Sequence, residues 1–395
     1  MENQSTQDFT QFELSASTYA GLEELLSEEL RSIGAADVKV RNRLVSFKGD
    51  LGFIYKSNLQ LRLALRVYYQ VKRFQFTDKK ELYEQVKKIE WEKWINPQGK
   101  IWIHANSDAM IFNNSMYVSQ LVKDAIADRF REKSNQRPDI SKDHADVMIN
   151  VHVHRDYCTV NLDTSGESLH KRGYRVEQVE APMSEVLAAA MVKFSNWTHH
   201  FPLLDYMCGS ATISIEAALL ALKIPPGYFR KRFAFKGWKN FDAALFEKIA
   251  ESLAGKILDV PLKIKAADIS KRNLEIARQN IAEAGLEEFI QLEQKDFFKQ
   301  HHDGSKAFLL LNPPYDERLP LDDVNDFYKS IGDKMKTSFS GCEAYIISGN
   351  LDAAKQIGLR PHMRKELYNG PIPSKLLGFR LYEGTKKIHK LTPQD

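Results

Sequence analysis

An amide, two prolines and an aromatic ring follow three leucines in Leu309-Leu310-Leu311-Asn312-Pro313-Pro314-Tyr315. The leucines read as the end of a strand buried on both faces. Two consecutive prolines can neither extend its ladder nor start hydrogen-bonding as a helix, so the chain turns at Asn312. Such a turn suits a flat heterocycle that carries an exocyclic amine. The Asn312 side-chain oxygen and the Pro313 carbonyl are acceptors for the two N–H groups, and Tyr315 is a plate on which the ring can stack. Holding both hydrogens draws an aryl amine toward sp3 geometry and aims its lone pair at an electrophile, with no need for a strongly basic side chain. The bland alternative is a plain Pro-Pro turn after a core strand.

Three carboxylates end earlier strands in the same manner. Phe201–Asp205 is followed by a small-residue loop through Cys208, Gly209, Ala211 and Thr212 into the helix Ile213–Leu222. A strand, a tight loop and a helix amino end open a nucleotide-type pocket. Lys263–Ala267 ends at Asp268, beside Ile269, where a carboxylate can accept bonds from both ribose hydroxyls. Phe289–Lys295 ends at Asp296, beside Phe297 and Phe298, an acceptor with an aromatic edge that suits the amine and face of an adenine. Each acid alone is more often a helix cap or a solvated turn residue. At the ends of successive strands of a doubly wound sheet, they converge with Asn312 on one crevice.

The preceding elements position this crevice. Strands at Phe12–Ser17, Asp37–Val40, Leu44–Lys48 and Arg66–Phe74 alternate with helices at Tyr19–Ile33 and Leu51–Leu61, a βαββαβ order that suggests a ferredoxin-like unit. A second small unit follows, with helices at Lys80–Ile89 and Asn114–Lys133 and strands at Lys100–Asn106, Asp146–His154 and Tyr157–Asp163. His152 and His154 share one strand face, which reads as solvated because no third ligand is near. Between the small units and the last one, His170, Lys171, Arg172, Tyr174 and Arg175 form a compact set of cations with one ring, a candidate phosphate-and-stacking patch for RNA.

Composition narrows the classes. A chain of 395 residues with 43% hydrophobic and 27% charged residues is an ordinary globular protein, and a net charge of +4 permits a polyanionic partner without demanding one. Cys158, Cys208 and Cys342 have neither paired nor metal-ligand spacing, so no metal is expected and a reducing cytoplasm fits. The first residues lack an apolar signal core, and no segment reaches the ~18 apolar residues of a membrane span.

The residues carry a resemblance. Asp205 to Thr212, Asp268, Asp296 and Asn312 to Tyr315 resemble the motifs of class I, S-adenosylmethionine-dependent amino-methyltransferases. The wider set is more specific: Leu169 to Arg175, Ala181-Pro182, Arg232-Phe233-Ala234-Phe235 with Trp238, Glu317-Arg318-Leu319, and Tyr368-Asn369-Gly370-Pro371. Together they resemble the THUMP-domain family of 23S ribosomal RNA guanine-N2 methyltransferases. The resemblance implies an α/β chain whose C-terminal Rossmann-like class I methyltransferase domain is preceded by small α+β ferredoxin-like and THUMP domains. The expected bounds are 1–75 for the ferredoxin-like domain, 76–168 for THUMP, 169–190 for a linker and first helix, and 191–395 for the methyltransferase.

It further implies S-adenosylmethionine held by Asp205, Cys208, Gly209, Ala211, Thr212, Asp268, Ile269, Asp296 and Phe297. The substrate-amine turn carries over onto Asn312, Pro313 and Tyr315, and large-subunit ribosomal RNA is the implied partner; a monomer is expected. Two departures stand out. Ala211 replaces the second glycine of the usual Gly-Ser-Gly-Thr, and Pro182-Met183-Ser184-Glu185 replaces Pro-Leu-Lys-Glu. At positive φ the Ala211 methyl would cost ~1–2 kcal/mol and could crowd the cofactor, whereas at negative φ the change is nearly free. Two rival readings are a DNA adenine-N6 methyltransferase using the same turn, and a non-enzymatic RNA-binding or assembly factor whose pocket has decayed at Ala211.

Overall fold

A computed structural model describes residues 11–108, 112, 114–177, 182–314, 321–370 and 372–383, the side chains of 321–323 excepted. The chain divides into two compact units. The first holds residues 1–18, 23–171 and 225–255, and the second holds 19–22, 172–224 and 256–395.

In the first unit, β1 (Phe12–Ser17), α1 (Glu23–Ser32), β2 (Ala36–Arg41), β3 (Leu44–Gly49), α2 (Leu51–Gln60) and β4 (Arg66–Gln75) form the anticipated βαββαβ. Then come α3 (Lys79–Lys87), β5 (Lys100–Ser107), α4 (Ser115–Ser134), β6 (Asp139–Ile140), β7 (Val147–His154) and β8 (Tyr157–Asp163). The two sets of strands are one sheet, in the order β2-β3-β1-β4-β8-β7-β5-β6, because β4 pairs antiparallel with β8. Alternation explains the sheet's sides: Val147, Ile149, Val151 and Val153 are buried while His152 and His154 are exposed. His154 Nδ1 bonds Asp108 Oδ2 at 2.6 Å.

The second unit begins with α5 (Glu185–Phe194), β9 (Leu203–Tyr206) and α6 (Thr212–Ala221). The chain then passes into the first unit for residues 225–255, which include α7 (Ala243–Ala254). It returns for β10 (Ile264–Asp268), α8 (Lys271–Glu283), β11 (Ile290–Gln294), β12 (Ala307–Leu311), α9 (Leu321–Ser338), β13 (Cys342–Ser348), β14 (Met363–Asn369) and β15 (Ile372–Arg380). The sheet order is β11-β10-β9-β12-β13-β15-β14. The first five strands are parallel, and the β14–β15 hairpin closes the edge antiparallel. Successive strands run outward from β9 on one side and from β12 on the other, so the strand order reverses between them. Every residue of β12 is buried, as its run of leucines requires, and Leu309 and Leu311 share a core with Ile346, Tyr328 and Phe339.

Candidate functional site

A cavity of about 750 Å3 lies within the second unit at the carboxyl ends of these parallel strands, where the order reverses. Its first wall is the loop between β9 and α6. Met207 (φ 89°), Gly209 (φ 55°) and Ala211 (φ 61°) are all left-handed, and the Met207 and Cys208 N–H groups both donate to the Ala267 carbonyl, at 2.8 and 3.0 Å. A Cβ at position 209 would meet nothing within 4 Å, so conformation and not space calls for glycine there. Asp268, at the end of β10, locks the loop. Its Oδ2 accepts from Gly209 N at 2.9 Å, and its Oδ1 accepts from Ser270 N at 2.9 Å and Asn273 Nδ2 at 3.2 Å. The Gly209 N–H is therefore committed to a carboxylate and is not an anion cradle.

Cys208, Gly209, Thr212, Asp268, Ile269, Asp296 and Phe297 all line the cavity. Ile269 is 67% exposed although apolar, while Phe297 is buried, so the two offer flat apolar surface beside Asp296. Asp296 Oδ1 caps the following turn by accepting from Phe298 N at 2.9 Å. Burial pushes the Cys208 thiol well above its ordinary value, which makes it a neutral wall and not a nucleophile.

Asp205 and Ala211, expected at the cofactor, do not line the cavity. Asp205 is wholly buried, and its Oδ2 accepts from Ser214 N at 3.2 Å and Ser214 Oγ at 2.7 Å, which fixes the start of α6. Its Oδ1 has no partner among the described residues. Burial, aided by the nearby Asp268 charge and opposed by the Ser214 bonds, pushes its carboxyl up to about 7. Ala211 is also wholly buried, in the left-handed position that precedes α6.

The basic linker needs a larger correction. Arg172 and Tyr174 are each 1% exposed, and both donate to Glu216 Oε1, at 3.3 and 3.2 Å. Arg175 donates to Glu185 Oε1 at 2.8 Å, to the Met183 carbonyl at 3.0 Å and to Thr212 Oγ1 at 3.1 Å. These three residues tie α5 to α6 beneath the cavity wall and are not presented to phosphate. Their acidic partners lie on later helices, which a local charge count does not see. His170 is half-buried against Ser168 Oγ at 2.8 Å, and Lys171 stays exposed, paired with Glu167 at 3.1 Å.

The opposite wall is the corner after β12, where Asn312, Pro313 and Pro314 line the cavity. Tyr315 lies outside the described residues, as do Ala181, Pro371 and the Glu317-Arg318-Leu319 stretch. Met183, Phe327, Asn350, Asn369 and Ile372 also line the cavity, although no sequence motif marks them as site residues. Asn369 and Ile372 are a cross-strand pair at the end of the β14–β15 hairpin. Asn350 Oδ1 is occupied by the backbone N–H groups of Asp352 at 3.2 Å and Ala353 at 2.9 Å. No local pattern announces these residues, because elements far along the chain bring them in.

Among the described lining residues, the charged groups are Asp268, Asp296 and Lys295, and Lys295 pairs with Glu293. A cavity of this size and acidic balance fits a phosphate-free nucleoside that carries positive charge better than a dinucleotide, whose phosphates would need cations.

The fold and site together are those of a methyltransferase domain, and the family models agree. A model described as RMKL-like, methyltransferase domain, matches residues 172–377, just over half of the chain. A THUMP domain model matches residues 76–163, and an RlmL ferredoxin-like domain model matches 13–68. The chain belongs to this RMKL-like methyltransferase family. It is 37% identical over 376 residues to the ribosomal RNA large subunit methyltransferase K/L of Syntrophotalea carbinolica, covering 92% of this chain and 53% of that protein. It thus spans about half the length of that relative.

Slr0064 of Synechocystis, provisionally named an RNA methyltransferase, is 33% identical over 93% of this chain and 96% of its own length. Two solved structures are similar over nearly the whole chain. SMU.472 complexed with SAH has a TM-score of 0.84 at 30% identity, covering 95% of this chain and 99% of its own. A protein from Listeria monocytogenes, titled a predicted N6-adenine-specific DNA methylase, has a TM-score of 0.85 at 30% identity, covering 96% of this chain and 99% of its own.

Proposed function

We propose that this protein transfers a methyl group from S-adenosylmethionine to the exocyclic N2 amine of a guanine in 23S rRNA. The observation that carries this reading is the single cavity shared by the Asn312–Pro314 corner, Asp268, Asp296 and the Gly209 loop. Similarity to a large-subunit rRNA methyltransferase and the THUMP match support the substrate class. The SAH held by SMU.472 supports the cofactor.

Bound S-adenosylmethionine supplies an electrophilic methyl on a positively charged sulfur. Asp268 accepts from the ribose hydroxyls while its other bonds keep the Gly209 loop in place. Ile269 and Phe297 flank the adenine, and Asp296 accepts from its amine. Asn312 and the Pro313 carbonyl would accept hydrogen bonds from the two N–H groups of the target amine, localise its lone pair and orient it toward the donor. As the N–CH3 bond forms the S–CH3 bond breaks, S-adenosylhomocysteine leaves as a neutral thioether, and the amine gives up one proton to solvent. The target base must leave its stack to reach this corner. The buried wall of Cys208, Phe297 and Pro313 keeps water from one side of the cavity, which strengthens the bonds made against it. We place the activity in the cytoplasm, consistent with three cysteines that are all free and buried, and assign it to a monomer.

Asn312→Ala tests the mechanism. Transfer of labelled methyl to 23S rRNA should fall by about a hundredfold or more, with S-adenosylmethionine affinity by calorimetry retained. An undiminished rate would remove Asn312 from the chemistry. Similarity to the Listeria protein, named a predicted N6-adenine-specific DNA methylase, favours a second reading, an adenine of DNA, since adenine also offers an exocyclic amine. Methyl incorporation into DNA but not into RNA would establish that reading instead.

A further inference from the structure

Residues 225–255 fall within the methyltransferase-domain match, yet they fold with the unit that carries the ferredoxin-like and THUMP regions. Close backbone approach anchors them. A Cβ at Gly227 would lie 2.9 Å from the Asn58 carbonyl oxygen, and one at Gly237 would lie 2.3 Å from the Asp146 carbonyl oxygen, so both positions demand glycine. Gly227 N donates to the Leu59 carbonyl at 2.9 Å and Lys239 N to the Trp94 carbonyl at 2.9 Å. Phe235 packs on Tyr55 with ring centroids 4.7 Å apart and stacks on Phe233 at 5.2 Å. The segment is a rigid attachment to this unit.

Its first half is cationic, whereas the acids of the segment, Asp242, Glu247 and Glu251, all follow Phe241. From Pro225 to Phe241 the sequence holds Arg230, Lys231, Arg232, Lys236 and Lys239 and no carboxylate, in a chain whose overall balance is only +4. Arg230 is used internally: its guanidinium donates to the backbone carbonyls of Ser165, Glu167, Ser168 and Lys171, which fastens the linker to the segment. Lys231 and Arg232, next in line, are exposed and pair with no acid among the described residues. Tyr228 is 55% exposed, an aromatic face held edge-on against Phe229 at 5.2 Å. Unpaired cations beside an exposed ring on a rigid support suit a nucleic-acid strand, whose phosphates meet the cations and whose bases can stack on the ring.

We propose that Tyr228, Lys231 and Arg232 form an rRNA-contacting surface on the first unit, holding a strand of the substrate through its backbone. The proposal rests on the rRNA reading above and supplies the phosphate contact that the buried Arg172 and the internally bonded Arg175 do not.

The test uses the full chain with Lys231→Gln/Arg232→Gln, Tyr228→Ala, and a charge-matched control, Lys39→Gln/Arg41→Gln, on the exposed edge strand β2. Affinity for a 23S rRNA fragment is measured over about 50–200 mM salt, alongside S-adenosylmethionine affinity and methyl-transfer kinetics. The Lys231/Arg232 variant should bind RNA about tenfold more weakly, with a log–log salt slope shallower by about 1.5. Its KM for RNA should rise while kcat and cofactor affinity hold. Tyr228→Ala should weaken binding with the slope unchanged, and the control should behave as wild type. Wild-type RNA affinity in the Lys231/Arg232 variant overturns the surface even if methyl transfer proceeds, and so does an equal loss in the control. If the wild-type protein neither binds nor methylates RNA, the rRNA reading fails and the surface fails with it.

Discussion

Asp205→Asn isolates one buried carboxyl. The amide keeps an oxygen for the Ser214 N–H and removes the titrating group. In the folded protein burial holds the Asp205 carboxyl at about 7, against 3.8 for an ordinary aspartate. The folded state therefore keeps a proton that the unfolded chain releases. The stability linked to it is complete below pH 3.8 and is lost as pH rises through about 7. At ~1.4 kcal/mol per pH unit, flattening near 7, the folded state loses ~2 kcal/mol between about pH 5.5 and about pH 8.5. Urea unfolding of the cofactor-free wild type and variant at these two pH values measures it, because every other titrating group contributes to both proteins and cancels in the difference. Wild type should lose ~2 kcal/mol more than the variant over this range. Equal losses would refute the view of Asp205 as a carboxyl held neutral by its surroundings.

Two further substitutions address the corrected residues. Ala211→Gly removes a left-handed methyl that costs ~1–2 kcal/mol, but it adds backbone entropy of ~0.5–1 kcal/mol and gives up ~0.8 kcal/mol of buried methyl. Unfolding should therefore shift by less than ~1 kcal/mol, and S-adenosylmethionine affinity should change less than about threefold, since residue 211 does not line the cavity. A tenfold gain in affinity would mean that the methyl does crowd the ligand. Arg172→Met should cost ~3–5 kcal/mol in chemical denaturation by stranding Glu216, whereas Lys171→Ala should cost less than ~0.5 kcal/mol. Similar losses in the two would contradict the placement of Arg172 as an internal tie.

Most strands and helices of the first unit, β6 and α7 excepted, were legible because hydrophobic alternation and capping act over a few residues. Asp50 and Asp78, for instance, cap α2 and α3 through bonds to Phe53 N and Glu81 N. Segment 225–255 was not legible as part of that unit. Its attachment is written in the fit of Gly227, Gly237 and Phe235 to partners more than a hundred residues earlier or, for Gly237, at Asp146, and no local period encodes such a fit. The linker was misread for the same reason, since its neutralising acids Glu185 and Glu216 enter only through tertiary packing.

Strand-end acids illustrate how far local sequence reaches. Asp205, Asp268 and Asp296 look alike as the last carboxylate before a loop, yet the fold sorts them by which backbone N–H groups lie nearest. Asp268 and Asp296 accept from N–H groups two residues on, at Ser270 and Phe298, which keeps each carboxylate at the rim beside the cavity. Asp205 instead reaches nine residues forward to Ser214, past the left-handed turns at 209 and 211, and is drawn beneath the loop it supports. A loop that must turn through three positive-φ residues needs a tether below it as well as a binding face above it. The division of labour between a buried acid that shapes the loop and rim acids that face the cavity follows from that requirement. The residue types alone could announce three acids, but only the path of the loop decides which of them a ligand can meet.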